Sequence, residues 1–100
     1  MAEADAAQEA LDLVGRDPRA ALEAADAIVA SLPRPRTPED VRQVAVAHRA
    51  AGLALRTFGE PAQAERRLRR GLAVADRAGA VEVAAEVRMT LAFVLLDLGR

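Results

Sequence analysis

The feature that most constrains this chain is where a helix cannot continue. Gly15-Arg16-Asp17-Pro18 interrupts it once, and Leu32-Pro33-Arg34-Pro35-Arg36-Thr37-Pro38 interrupts it again. Three prolines fix φ and bias the residues before them away from the α region, so the second break is stiff and extended. Gly59-Glu60-Pro61, Ala78-Gly79-Ala80 and Gly99 mark the remaining breaks. Between them the apolar period is helical. Ala7, Leu11 and Val14 recur at i, i+4, i+7, and Ala21, Ala24, Ala25 and Ile28 follow the same period. These signals predict helices over about 3–14, 17–31, 38–57, 61–77 and 81–98.

Local chemistry supports the starts and stops. Asp17 precedes Pro18, and Thr37 precedes Pro38, Glu39 and Asp40. An N-cap oxygen, a proline at the first helical position and carboxylates in the first turn all complement a helix N-terminus. Arg56 falls in the last turn of the third stretch, and Gly59 follows as a left-handed cap.

Composition matters where it excludes alternatives. The chain has no Cys, Lys, Asn, Trp or Tyr, and alanine supplies about half of its apolar residues. A disulfide scaffold is excluded. Fourteen arginines against fifteen acids leave a net charge of −1, without the positive excess usual in nucleic-acid modules. An apolar share of 52% argues against disorder, and aromatics at 2% argue against a β-rich fold. Met1 to Gln8 lacks the basic and apolar regions of a signal peptide, and Leu91 to Leu96 is far too short to span a bilayer. A cytoplasmic location without membrane contact is the expectation. The arginine-only, alanine-rich usage suggests a GC-rich genome.

The helices also repeat. "LDLVGRDPRAALEAA" and "LALRTFGEPAQAERRL" share Gly, then Pro, then Ala five residues after the Gly, and "FVLLDLGR" repeats the approach to a third glycine. The intervals are 44 residues from Gly15 to Gly59 and 40 from Gly59 to Gly99, a helix–turn–helix period.

The pattern resembles the tetratricopeptide repeat. Gly52, Leu55, Gly59, Ala64 and Gly71 fit it in the central unit; Leu11, Gly15, Ala20 and Ala27 in the first; Ala92, Leu95 and Gly99 in the last. Gln8 replaces a small residue, and His48 stands where the family prefers Trp. The resemblance implies an all-α fold, an α-solenoid of about five helices in antiparallel hairpins, with units near 1–31, 38–78 and an incomplete 81–100. The stretch from "AHRAAGLALRTFGEPAQAERRL" to "FVLLDLGR" further resembles the N-terminal repeats of actinobacterial CHAT-domain proteins, which are caspase-like. Similar repeats occur in bacterial transcriptional regulators. The implied role is a non-catalytic sensor, docking or scaffold segment of a larger protein; the alternative is a self-assembling structural or regulatory repeat without a peptide ligand.

Catalytic signals are weak. His48 has no second His, Cys or HExxH-type spacing beside it, so it reads as a core residue, not a metal ligand or base. Glu39 with Asp40 reads as helix-start chemistry, and Glu82 with Glu86 has no acid–base partner nearby in sequence. No glycine-rich phosphate loop exists, and no cofactor is expected. Arg66, Arg67, Arg69 and Arg70 read as a solvated convex face, with Glu65 placed to pair with Arg69; an anionic docking patch is the functional alternative.

The expected site is the concave face that tetratricopeptide-like first helices would line. The first helix offers Asp5, Glu9 and Asp12, the third Arg49, Leu53 and Arg56, and the fifth Met89, Phe93 and Leu96. One acidic, one basic and one apolar wall could hold a peptide or protein; otherwise the acids pair with Arg49 and Arg56. Two packing expectations accompany this. Gly52 and Ala64 should touch where the central helices cross. The fifth helix should bury Val83, Val87, Leu91, Val94, Leu95 and Leu98 and leave a second apolar arc of Ala85, Met89, Ala92, Phe93 and Leu96. Further repeats of the same chain, or a homodimer through this helix, would cover that arc.

Overall fold

The structure, a computed structural model, describes residues 5–100. They form five helices and no strand: α1 (Ala6–Leu13), α2 (Pro18–Ser31), α3 (Pro38–Thr57), α4 (Pro61–Arg77) and α5 (Val81–Asp97). Prolines open α2, α3 and α4, as read from the sequence. Asp17 accepts from the Ala20 amide at 3.1 Å, and Thr37 from the Asp40 amide at 3.0 Å. The first start differs from expectation. Asp5 is the N-cap of α1, accepting from the Gln8 amide at 3.0 Å, so it precedes the helix. The expected start at residue 3 lies outside the described residues.

Three helices end in the same joint. Gly59, Gly79 and Gly99 have φ of 76°, 69° and 77°. The amides after them, Glu60, Ala80 and Arg100, reach back to the carbonyls of Leu55, Ala75 and Leu95 at 2.9, 2.8 and 2.9 Å. A residue without Cβ takes this left-handed conformation at little cost. Gly15 departs from the pattern. Its φ is not positive, and the α1–α2 turn closes instead through the Asp17 amide on the Leu13 carbonyl.

α3 packs against every other helix. Its direction relative to each follows from residue pairs. Gly52 faces Leu68 and His48 faces Gly71, so α4 runs back along α3. Asp76 meets Arg88 and Glu65 meets Arg100, so α5 runs back along α4. Three bonds between parallel neighbours share one offset. Arg67–Asp26, Arg49–Thr90 and Arg56–Asp97 each join residues 41 apart. Gln43 to Ala7, 36 apart, plays this part between α3 and α1.

The core is built from small side chains. Ala45, Ala47, Ala50, Ala51 and Ala54 of α3 are fully buried, as are Ala21, Ala25, Ala64 and Ala75 on its neighbours. Helices with such faces approach closely, and dense packing then leaves no room for a larger residue. At Gly52 the nearest neighbour is Leu68, one turn beyond the expected Ala64: a Cβ there would lie 2.6 Å from Leu68 Cγ. A Cβ on Gly71 would lie 2.8 Å from His48 Cβ and 3.3 Å from the Ala45 carbonyl oxygen. α5 divides as its sequence predicts. Val83, Val87, Leu91 and Val94 are buried and Leu95 and Leu98 half-buried, while Ala85, Met89, Ala92, Phe93 and Leu96 are exposed. Among the described residues, no helix is long and apolar enough to cross a membrane.

Candidate functional site: the face lined by α1, α3 and α5

Of the residues nominated from sequence, the structure gathers those of α3 and α5. Arg49 Nε donates to Thr90 Oγ1 at 2.9 Å, with the Glu86 carboxylate 3.9 Å from its Nη1. Arg56 Nε donates to Asp97 Oδ2 at 2.5 Å, and its guanidinium carbon lies 5.9 Å from the centroid of the Phe93 ring. A cation over an aromatic face is attracted by the ring quadrupole. The Arg56 guanidinium holds the Asp97 carboxyl below the usual carboxylate range. The two arginines therefore take their acids from α5, not from α1 as one sequence reading had it.

The acids of α1 take different partners. Asp5 caps α1 and also accepts from Gln43 Nε2 at 2.8 Å and from Arg42, seven residues before Arg49 on α3. These bonds, led by Gln43, outweigh its partial burial and keep its carboxyl below the usual range. Glu9 is exposed, and the exposed Asp12 accepts from Gln8 Nε2 at 2.9 Å. Asp5 lies at the helix boundary, where its short side chain reaches both the backbone and α3.

What remains is an open cavity of about 400 Å³, lined by Val14, Leu53, Arg56, Thr57 and Asp97. Leu53 is half-buried in it. Beside it, Met89, Phe93 and Leu96 are 60%, 50% and 68% exposed. Apolar surface next to a paired arginine and carboxylate suits a peptide backbone with apolar anchors. Sequence reasoning missed Thr90 and Asp97. Thr90 is 3% exposed, with its hydroxyl donating to the Glu86 carbonyl at 3.3 Å.

His48 is a core residue, 5% exposed, against Gly71. Its Nδ1 accepts from Arg67 Nε at 3.2 Å, while Arg67 Nη1 holds Asp26 at 2.6 Å. Burial, then the charges of Arg67 and Arg70, pushes the imidazole pKa down to about 4, so it is neutral near pH 7. Arg67 thus departs from the solvated face predicted for its run, whereas Arg69 pairs with Glu65 at 2.9 Å as expected. Among the described residues, no group of three or more His, Asp or Glu could hold a metal ion. No protein-family model, curated protein or solved structure matches the chain.

Proposed function

We propose that this chain is a non-catalytic protein-interaction segment, a short right-handed stack of antiparallel helix pairs of tetratricopeptide type, receiving a peptide or protein on its α1–α3–α5 face. The observation that carries this is the exposed trio Met89, Phe93 and Leu96 beside the cavity at Leu53 and Arg56. Bonded pairs 41 residues apart on parallel helices, close to the glycine intervals of 40 and 44, support the repeat reading, since stacked units bring nearly equivalent residues side by side. The resemblance to CHAT-domain proteins supports placing the segment upstream of a caspase-like domain, with the repeat arrays of transcriptional regulators as the other host. A cytoplasmic location belongs to the same reading.

The same apolar trio favours a second reading, self-assembly through α5. Sedimentation and hydrophobic-dye binding on the parent and on a Met89→Glu, Phe93→Glu variant separate the two. A monomer whose dye binding disappears in the variant supports docking. A dimer that dissociates in the variant supports self-assembly. A monomeric, dye-silent parent at high concentration sinks both. A gene lacking any caspase-like or regulatory domain after this segment would remove the proposed hosts.

A further inference from the structure

The chain has almost equal numbers of arginines and acids, but they are unevenly placed. Arg42, Arg49, Arg56, Arg67, Arg69, Arg88 and Arg100 each hold a carboxylate. Among the described residues the other seven have no such partner, and five of those seven line two cavities along α4. Arg34, Arg36 and Arg77 surround one of about 500 Å³, with Pro33, Pro35, Val41 and Val74. Arg66 and Arg70 border the other, of about 270 Å³, with Arg67, Gln63, Leu22 and Leu55. The acid in these linings is Asp26, already engaged by Arg67.

The two cavities share one face of α4. Gln63, Arg66, Arg70, Val74 and Arg77 follow at steps of three or four residues, the spacing of a single helical stripe. At the α-helical rise this stripe is about 21 Å long. Arg66 and Arg70, like charges one turn apart, repel each other unless an anion lies between them. Arg67 is fixed beneath them by His48 and Asp26, so part of the cationic wall is set before anything binds. At the far end, prolines stiffen residues 33–36, which exchange no backbone hydrogen bond with another described residue.

We propose that this groove is a second docking surface, which takes an extended acidic peptide segment of a protein partner. Guanidinium forks match carboxylates in charge and geometry. Leu22, Leu55, Val41 and Val74 supply an apolar floor for side chains between the acids. A groove of this length holds about six or seven extended residues. Nucleic acid fits less well, because no aromatic lines the groove for base stacking and the chain's net charge is −1. The surface is independent of the α1–α3–α5 face.

The test is fluorescence anisotropy of a labelled octapeptide of alternating Asp and Leu, titrated with the full chain at low salt. Saturable binding that weakens with added salt is expected. Arg66→Ser with Arg70→Ser, and separately Arg34→Ser with Arg36→Ser, should each weaken it roughly fivefold, whereas Arg88→Ser should leave it unchanged. Two variant pairs on different elements guard against a local folding defect in either. Absence of binding, equal binding of a Lys–Leu octapeptide, or indifference to both pairs would overturn the proposal. So would displacement of the peptide by oligothymidylate at lower concentration, which would reassign the groove to nucleic acid.

Discussion

α3 meets α4 and α5 through two different kinds of interface. Toward α4 the contact is steric: Leu68 fills the notch over Gly52, and His48 lies on Gly71. Toward α5 polar bridges flank an apolar seam: Leu55 packs in one cluster with Val87, Leu91 and Val94, while Arg49 reaches Thr90 and Glu86, and Arg56 reaches Asp97. The first tolerates almost no change of volume, because interiors are close-packed. The second depends on long, partly hydrated side chains that can reorganise. The difference teaches where rigidity and adaptability reside: α4 meets α3 by close steric fit, while α5 adds adjustable polar bridges to its buried inner face and leaves its outer apolar face exposed.

The largest expected effect probes the locked side through pH. An unfolded histidine binds a proton near pH 6.5, whereas His48 in the fold does so only near about 4. The unfolded chain therefore gains the proton first as pH falls. Stability is fully present above about 6.5 and declines down to about 4, by roughly 3 kcal/mol in all. Between about pH 7 and about pH 5, above the carboxylate range, roughly 2 kcal/mol should be lost. Urea melts at the two pH values measure this, and His48→Gln should flatten the slope. A parent whose stability is level over that interval would show that His48 is not held neutral.

Next in size is Gly52→Leu, expected to cost about 2 kcal/mol by overpacking against Leu68. Combined with Leu68→Ala, which vacates space there, the loss should be less than the sum of the single losses. Strict additivity in thermal melts would mean that the two residues do not meet. On the α5 side, Thr90→Val removes the acceptor of Arg49 Nε, whose side chain is 24% exposed and keeps Glu86 nearby, so about 1 kcal/mol is expected. A loss as large as that of Gly52→Leu would erase the contrast between the interfaces. Smallest is Met89→Glu with Phe93→Glu, within about 0.5 kcal/mol for the monomer, since both side chains are exposed. A collapsed melt for that variant would place them in the core.

Much of this was legible in sequence for identifiable reasons. Pro18, Pro38 and Pro61, with Asp17 and Thr37, mark helix starts by chemistry that acts within a few residues. The two faces of α5 follow from phase around a single helix. What escaped the sequence depends on register between helices. Whether Arg56 reaches Asp97 or an acid of α1, and whether Gly52 meets Ala64 or Leu68, is decided by a shift of about one turn, which periodicity leaves open. Asp5 escaped for a related reason: one residue decides whether a carboxylate caps a helix or rides on its face. The arginine run was legible as charge, but the burial of Arg67 depended on a histidine nineteen residues away.

The joints at Gly59, Gly79 and Gly99 fall at equal intervals, and helices in contact are neighbours in sequence or next but one. α1 and α2 make no close backbone approach to α5, nor α1 to α4. Such a chain closes only short loops as it forms, which favours rapid folding. It can also come apart from its ends. α1 and α5 can peel away while α3 and α4 stay clasped. Amide exchange should then be slowest in the middle of α3 and quicken toward both termini, a gradient rather than a single all-or-none opening.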